Sequence, residues 1–239
     1  MDGDSTWQYT WMERLRQAET EEAFFFVLTE AAKSIGFDYC GYGMRGTLPV
    51  SNPRVYMRNN YDEAWHQRYL KENYVFIDPT VAHGMKSIEP LVWTDRLFSG
   101  AAGFWEDARS HGLRVGWSQS SYDARGIGGM LTLARSHEPL SELELREKEF
   151  KMMWLVQAGH IGMARFFMAR EPAIMLVELS PREVEILRWS ADGKTSNEIS
   201  RIIGITTRTV NFHIQRCMDK LGVSNRTAAV LKAAALRLL

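Results

Sequence analysis

Along the first 170 residues, stretches in which apolar side chains recur every three or four positions interleave with shorter stretches in which they alternate with polar ones, the periods of helix and strand. The first pattern predicts helices near 6–18, 20–35, 61–72, 78–86, 103–111 and 141–169, and the second predicts strands at 37–45, 54–59, 90–93, 116–122 and 128–135. Such interleaving predicts helices layered on a mixed or antiparallel sheet. Ser141 and Glu144 have the spacing of a capping box at the head of the last helix. Its apolar positions Leu145, Met152, Val156, Met163 and Phe166 form a stripe that can pack on the sheet, and another face can serve as a dimer seam.

Near residue 178 the pattern becomes purely helical. Ser180-Pro181-Arg182-Glu183 is a capping box with proline at the first helical position, predicting a helix over 181–192 that ends at Gly193. A second box, Thr195 to Glu198, opens a short helix through Ile199, Ile202 and Ile203 that stops at Gly204. Thr206 can cap a third helix with a buried stripe of Val210, Ile214, Cys217 and Leu221, ended by Gly222. A fourth follows Ser224 and carries Ala229, Val230, Ala233 and Leu236. Two short helices joined by so tight a turn have helix-turn-helix spacing. The fold class expected is therefore α+β in two domains, 1–170 and 178–239, with a linker at 171–177 signalled by Glu171-Pro172-Ala173.

Composition sharpens this division. Formal charge is zero overall, but residues 176–239 hold ten Lys and Arg against six Asp and Glu, leaving nineteen against twenty-three before them. A basic tail on an acidic front has the sign of a nucleic-acid-binding tail. No apolar run is long enough to span a bilayer, and the start, Met1-Asp2-Gly3-Asp4, is acidic where a signal peptide is basic, so a cytoplasmic location without membrane contact is expected. Cys40 and Cys217 lie far apart, and histidines 66, 83, 111, 137, 160 and 213 are scattered without ligand spacing. No metal, cofactor or catalytic cluster follows from these residues, and the chain is not expected to be an enzyme.

On the third tail helix Arg208, Asn211, Phe212, Gln215, Arg216 and Asp219 lie off the buried stripe. Amides pair with adenine, guanidinium groups with guanine, and apolar groups meet thymine methyls. Thr207, Thr209 and Lys194, near helix N-termini, can hold phosphates. A solvated helix face has the same composition, and it is the spacing that favours double-stranded DNA.

The runs Leu179-Ser180-Pro181-Arg182-Glu183, Leu187-Arg188-Trp189, Gly193-Lys194-Thr195, Glu198-Ile199 and Thr209-Val210-Asn211-Phe212-His213 resemble the LuxR-type DNA-binding domain over 178–239. Upstream, Tyr61-Asp62-Glu63-Ala64-Trp65, Arg68-Tyr69, Asn73-Tyr74 and Asp78-Pro79, with Trp93 and Gly116 beyond, resemble the autoinducer-binding domain of LuxR-family acyl-homoserine lactone receptors. The resemblance implies an α/β/α sandwich sensor domain ahead of a four-helix tail. It implies a quorum-sensing transcription regulator, whose ligand is an N-acyl-homoserine lactone and which binds a palindromic DNA element as a homodimer. An activator of this kind also meets RNA polymerase.

Residue by residue, the resemblance implies that the Trp65 indole N–H donates to the lactone carbonyl and that Asp78, beside Thr80, accepts the amide N–H. Tyr61 and Thr132 bond the acyl carbonyl, and Tyr69, Trp93, Phe98, Phe104 and Ala108 line the ring and the start of the chain. The chemistry is coherent by itself, because two carbonyls and one N–H taken out of water need donors and an acceptor at fixed places. Tyr61, Trp65 and Tyr69 recur every four residues, a spacing that suits a core as well as a site, and Asp78-Pro79 also suits a plain helix start. At the tail of the pocket Gly41, Gly43, Met44, Arg45, His66 and Met130 leave acyl length open, with Arg45 and His66 expected at the surface or rim. The alternatives are a non-acyl or non-lactone signal, and DNA binding without ligand.

Overall fold

The computed structural model describes residues 2–46, 53–124, 126–170 and 177–239. They form two compact units, one holding Val55–Phe167 together with the described residues up to Gly46, the other Pro53, Arg54 and the described residues from Met168 to Leu239. The expected linker, 171–177, lies outside the described residues apart from Val177. Among the described residues no helix is long and apolar enough to cross a membrane.

The first unit contains α1 (Asp2–Gln17), α2 (Glu21–Ser34), β1 (Tyr39–Arg45), β2 (Val55–Asn59), α3 (Glu63–Lys71), α4 (Pro79–Gly84), β3 (Leu91–Val92), α5 (Ala102–Ser110), β4 (Val115–Tyr122), β5 (Gly128–Arg135) and α6 (Glu142–Ala169). Single 3-10 turns at Tyr74–Phe76 and Ser99–Ala101, which periodicity does not signal, precede α4 and α5. The strands form one sheet in the order β2-β1-β5-β4-β3, antiparallel at every step.

Side chains alternate across this sheet, so its register sorts residues onto two faces. Gly41 faces Thr132, and Thr132 faces Ser118, which places all three on one face with Tyr39, Gly116 and Ala134. That face is covered by α3, α4 and α5: Ala134 belongs to the same apolar cluster as Trp65, Phe104 and Ala108, and Gly84 packs on Ser120 and Met130. Leu131, Leu133, Cys40 and Trp117 point the other way, towards α2 and α6, where Gly159 lies against Leu28 and Leu131. The result is an α/β/α sandwich.

Thr20 caps α2 by accepting from the Ala23 N–H at 3.1 Å, and Phe24, Phe25, Leu28, Ala31 and Ala32 bury its inner side. On α6 the buried stripe runs Met152, Leu155, Val156, Met163 and Phe167; Phe166, expected inside, is half-buried and meets the Phe24 ring at its edge. The expected capping box at its head is half formed. Ser141 Oγ accepts the Glu144 N–H at 3.1 Å, but the Glu144 carboxylate turns to Arg135, 2.7 and 2.8 Å, and Lys148, 2.6 Å. A buried guanidinium is a stronger partner than a backbone N–H.

The second unit holds α7 (Pro181–Ala191), α8 (Ser196–Ile203), α9 (Thr207–Leu221) and α10 (Arg226–Ala235). Both expected capping boxes are complete, Ser180 with Glu183 and Thr195 with Glu198. Thr206 caps α9, accepting from the Thr209 N–H at 3.1 Å. The cap of α10 is Asn225, one residue later than expected, whose amide oxygen accepts the Ala228 N–H at 2.8 Å. Ile186, Ile199, Val210 and Ile214 form one buried cluster, and Leu187, Cys217, Leu221, Ala229 and Ala233 form another.

Candidate signal-binding site and nucleic-acid interface

The aromatic residues singled out on α3 lie over the pocket face of the sheet. Trp65 is buried and packs within 5.8 Å, ring centre to ring centre, of Tyr69, Tyr74 and Phe104. Tyr61, Tyr69 and Trp93 border the same cluster, and Phe98, Phe104 and Ala108 are within it. Trp105 and Tyr74, not singled out in the sequence, complete it: the Trp105 ring stacks on Phe98 at 4.2 Å and its N–H donates to Asp95 at 2.7 Å, while the Tyr74 hydroxyl donates to Asp107.

Two glycines set how closely these rings approach. A Cβ on Gly41 would stand 2.3 Å from the Tyr61 hydroxyl, and one on Gly116 would stand 2.3 Å from the Trp93 indole. Each ring therefore lies directly on bare backbone.

The polar tips of this group fall into two sets. Asp78 is buried at the head of α4, where Oδ1 accepts from the Thr80 N–H at 2.8 Å and the Thr80 hydroxyl at 2.7 Å, and Oδ2 accepts from the Tyr69 hydroxyl at 3.1 Å. Thr80 is thus committed to Asp78. Burial pushes the Asp78 pKa above its ordinary value against the pull of these hydrogen bonds. Burial, with Asp78 nearby, likewise raises the Tyr61 and Tyr69 phenols, which stay protonated donors. Trp93 donates to Ser118 at 3.0 Å, and Ser118 and Thr132 share a hydrogen bond of 3.0 Å.

The Trp65 indole N–H and the Tyr61 hydroxyl, by contrast, bond to nothing among the described residues. Two uncommitted donors, the Thr132 hydroxyl and the Asp78 carboxylate suit a small amphipathic molecule carrying carbonyl oxygens and an N–H. Arg45 is exposed, with its guanidinium 3.1 Å from the Met85 sulfur, and His66 is half-buried, 3.2 Å from the Asn59 amide. Neither reaches the aromatic cluster.

In the second unit, one helix face meets solvent. With 100° per residue, Arg208, Phe212, Gln215 and Asp219 lie opposite the buried stripe of α9, with Asn211 and Arg216 on its flanks. Arg208 and Asn211 are exposed, as is Phe212 at 56%. The Gln215 amide donates to Asp219 at 2.9 Å, and the Arg216 guanidinium lies over the Phe212 ring, 3.8 Å from Glu183. Burial raises the Glu183 pKa, but Lys220 at 2.7 Å and the Ser180 N–H outweigh it and hold the carboxylate below its ordinary value. Thr207 donates to Ser200 and Thr209 pairs with Thr206, so both hydroxyls fasten the turn, while Lys194 sits one residue before the Thr195 cap of α8. A row of amide, guanidinium and aromatic groups beside two helix N-termini can enter a major groove and grip phosphates.

A family model of the autoinducer binding domain matches residues 20–161, and one of bacterial regulatory proteins of the luxR family matches 177–233. The chain is 45% identical to the transcriptional activator protein AnoR of Acinetobacter nosocomialis, over 98% of this chain and 99% of that one. It is 35% identical to the HTH-type quorum-sensing regulator RhlR of Pseudomonas aeruginosa, over 91% and 90%. A crystal structure of Escherichia coli SdiA aligns with a TM-score of 0.83 and 34% identity over 98% of both chains. A solved structure of SdiA in complex with octanoyl-rac-glycerol aligns with a TM-score of 0.81 and 32% identity over 99% of this chain and 96% of that one. With a signal domain and a DNA-binding domain each matched, and relatives aligned from end to end, the chain belongs to the LuxR family of quorum-sensing transcription regulators.

Proposed function

We propose that the signal is an N-acyl-homoserine lactone enclosed between α3, α4, α5 and the sheet. The observation that carries this reading is the set of polar groups around one aromatic cluster. Trp65 donates to the lactone carbonyl, Tyr61 and Thr132 donate to the acyl carbonyl, and Asp78 Oδ2 accepts the amide N–H. Tyr69, Trp93, Phe98, Phe104 and Ala108 enclose the ring and the first carbons of the chain. The SdiA complex favours a second reading, since octanoyl-rac-glycerol is an acyl ester with hydroxyls in place of an amide. Titration with both classes, read as a rise in thermal midpoint, separates them, because a ligand of the native state stabilises it. Stabilisation by lactones at lower concentration than by acylglycerols is expected; the reverse order would reject the lactone.

Liganded protein acts as a homodimer on an imperfect palindrome and, where it activates, meets RNA polymerase there. One helix-turn-helix per chain supports the dimer, as does α6, whose outer side exposes Leu143, Phe150 and Ile161 in a single stripe. On DNA, Asn211 and Gln215 read base edges with Arg208, Phe212 and Arg216, while Lys194, Thr207 and Thr209 hold the backbone. Asn211→Ala is expected to cost about 1 to 3 kcal/mol at particular base pairs. Lys194→Ala should weaken all sequences alike and flatten the salt dependence. Footprinting across point-mutated half-sites checks both, and an Asn211→Ala loss equal on every sequence would remove that residue from base readout.

A further inference from the structure

Three side chains on the pocket floor, Trp93, Ser118 and Thr132, form a hydrogen-bonded row. An indole N–H can only donate, so Ser118 Oγ accepts from Trp93 across their 3.0 Å contact. Ser118 then has a single hydroxyl proton to place. Its other hydrogen-bond neighbour among the described residues is Thr132 Oγ1, at 3.0 Å, a contact in which either hydroxyl can donate. When Ser118 donates there, its proton has a partner inside the row and the Thr132 proton is free for the pocket. Ser118 and Thr132 are both buried on the pocket face, in cross-strand register with each other and with Gly41, on which the Tyr61 hydroxyl lies. The start of the row is held in place as well, since the Trp93 ring rests on Gly116 and the Trp93 backbone N–H donates to the Gly116 carbonyl at 2.8 Å.

We propose that Trp93 and Ser118 are positioning residues that fix Thr132 as a hydrogen-bond donor to the bound signal. A threonine hydroxyl left to itself donates or accepts as the partner requires and discriminates little between them. Held from behind by the Ser118 proton, Thr132 turns its own proton towards the ligand. With Tyr61 and Trp65 the pocket then offers three donors against the Asp78 carboxylate, a ratio that selects molecules rich in acceptor oxygens and rejects those with a donor opposite Thr132. This inference rests on the lactone reading, in which Thr132 faces the acyl carbonyl.

A double-mutant cycle tests it. The probe is whichever member of an N-acyl-homoserine lactone series, butanoyl to tetradecanoyl, most stabilises the wild type. Ser118→Ala should weaken its binding roughly fivefold to tenfold, because Thr132 regains the freedom to turn its proton back. Ser118→Cys, a weaker donor of similar shape, should fall between. In a Thr132→Val background Ser118→Ala should cost nothing further, a coupling that a general loosening of the sheet would not produce. Losses that add across the cycle, or equal binding by wild type and Ser118→Ala, would overturn the inference while the lactone reading stands. A wild type stabilised by no member of the series would overturn both.

Discussion

Asp78→Asn is expected to weaken lactone binding at least about tenfold while leaving the thermal midpoint of the ligand-free protein almost unchanged, because the two oxygens of Asp78 have separate tasks. Oδ1 caps α4 through the Thr80 N–H and hydroxyl, and an asparagine carbonyl caps nearly as well. Oδ2 accepts from the Tyr69 hydroxyl at 3.1 Å and, on the lactone reading, is the oxygen that meets the amide N–H. The substitution puts an NH₂ group there. The Tyr69 hydroxyl can turn to accept from it, but a ligand N–H cannot. Helix capping and signal binding are thereby separable in one residue. Trp65→Phe is an independent companion, keeping most of the buried ring and removing the N–H. Equal affinity of wild type and Asp78→Asn, by titration calorimetry with the best lactone, would take Asp78 out of the ligand set.

Glu144→Gln is expected to destabilise the sensor unit by about 2 to 3 kcal/mol. Its partner Arg135 is buried, with three backbone carbonyls, of Gly36, Glu138 and Pro139, accepting from the same guanidinium that Glu144 grips with both oxygens. Removing one member of a buried pair typically costs about 3 to 5 kcal/mol. The lower figure applies because those carbonyls remain and the carboxylate is partly open to solvent. The Arg135 guanidinium, with Lys148, holds the Glu144 pKa down at about 2 against an ordinary value of 4.5. A lowered folded-state pKa means stability that is complete above the ordinary value and is lost as pH falls through the lowered one. The gap between wild type and Glu144→Gln should therefore be full at neutral pH, narrow below about pH 4.5 and close near pH 2. Urea unfolding followed by tryptophan fluorescence measures this, since seven of the eight tryptophans lie in this unit. A gap independent of pH would show that the charge of Glu144 is not what holds Arg135.

Local signals carried far in this chain. Capping boxes at Ser180 and Thr195 place α7 and α8 to within a residue, because a helix start is set by side chains three positions apart. The strand patterns in 116–122 and 128–135 place β4 and β5 to within a residue as well. Contacts that depend on register are another matter. Ser118 looks like any polar residue of a half-buried strand, and its place between Trp93 and Thr132 exists only once β4 is aligned with β5. For the same reason Glu144 reads as half of a capping box until the fold brings Arg135 to it. Trp105 and Tyr74 were within reach of the sequence, Trp105 beside Phe104 and Tyr74 four residues before Asp78, but an aromatic residue does not announce whether it packs or binds.

The sheet between the pocket and α6 is a single backbone thick. On β5, Thr132 points into the pocket while Leu131 and Leu133 on either side of it point towards α2 and α6. A load applied at Thr132 is therefore shared by neighbours one peptide bond away, with no cushion of side chains in between. In mechanical terms β5 is a membrane between two chambers, and whatever stiffens it from the pocket side stiffens the seat of the 28-residue helix on the other.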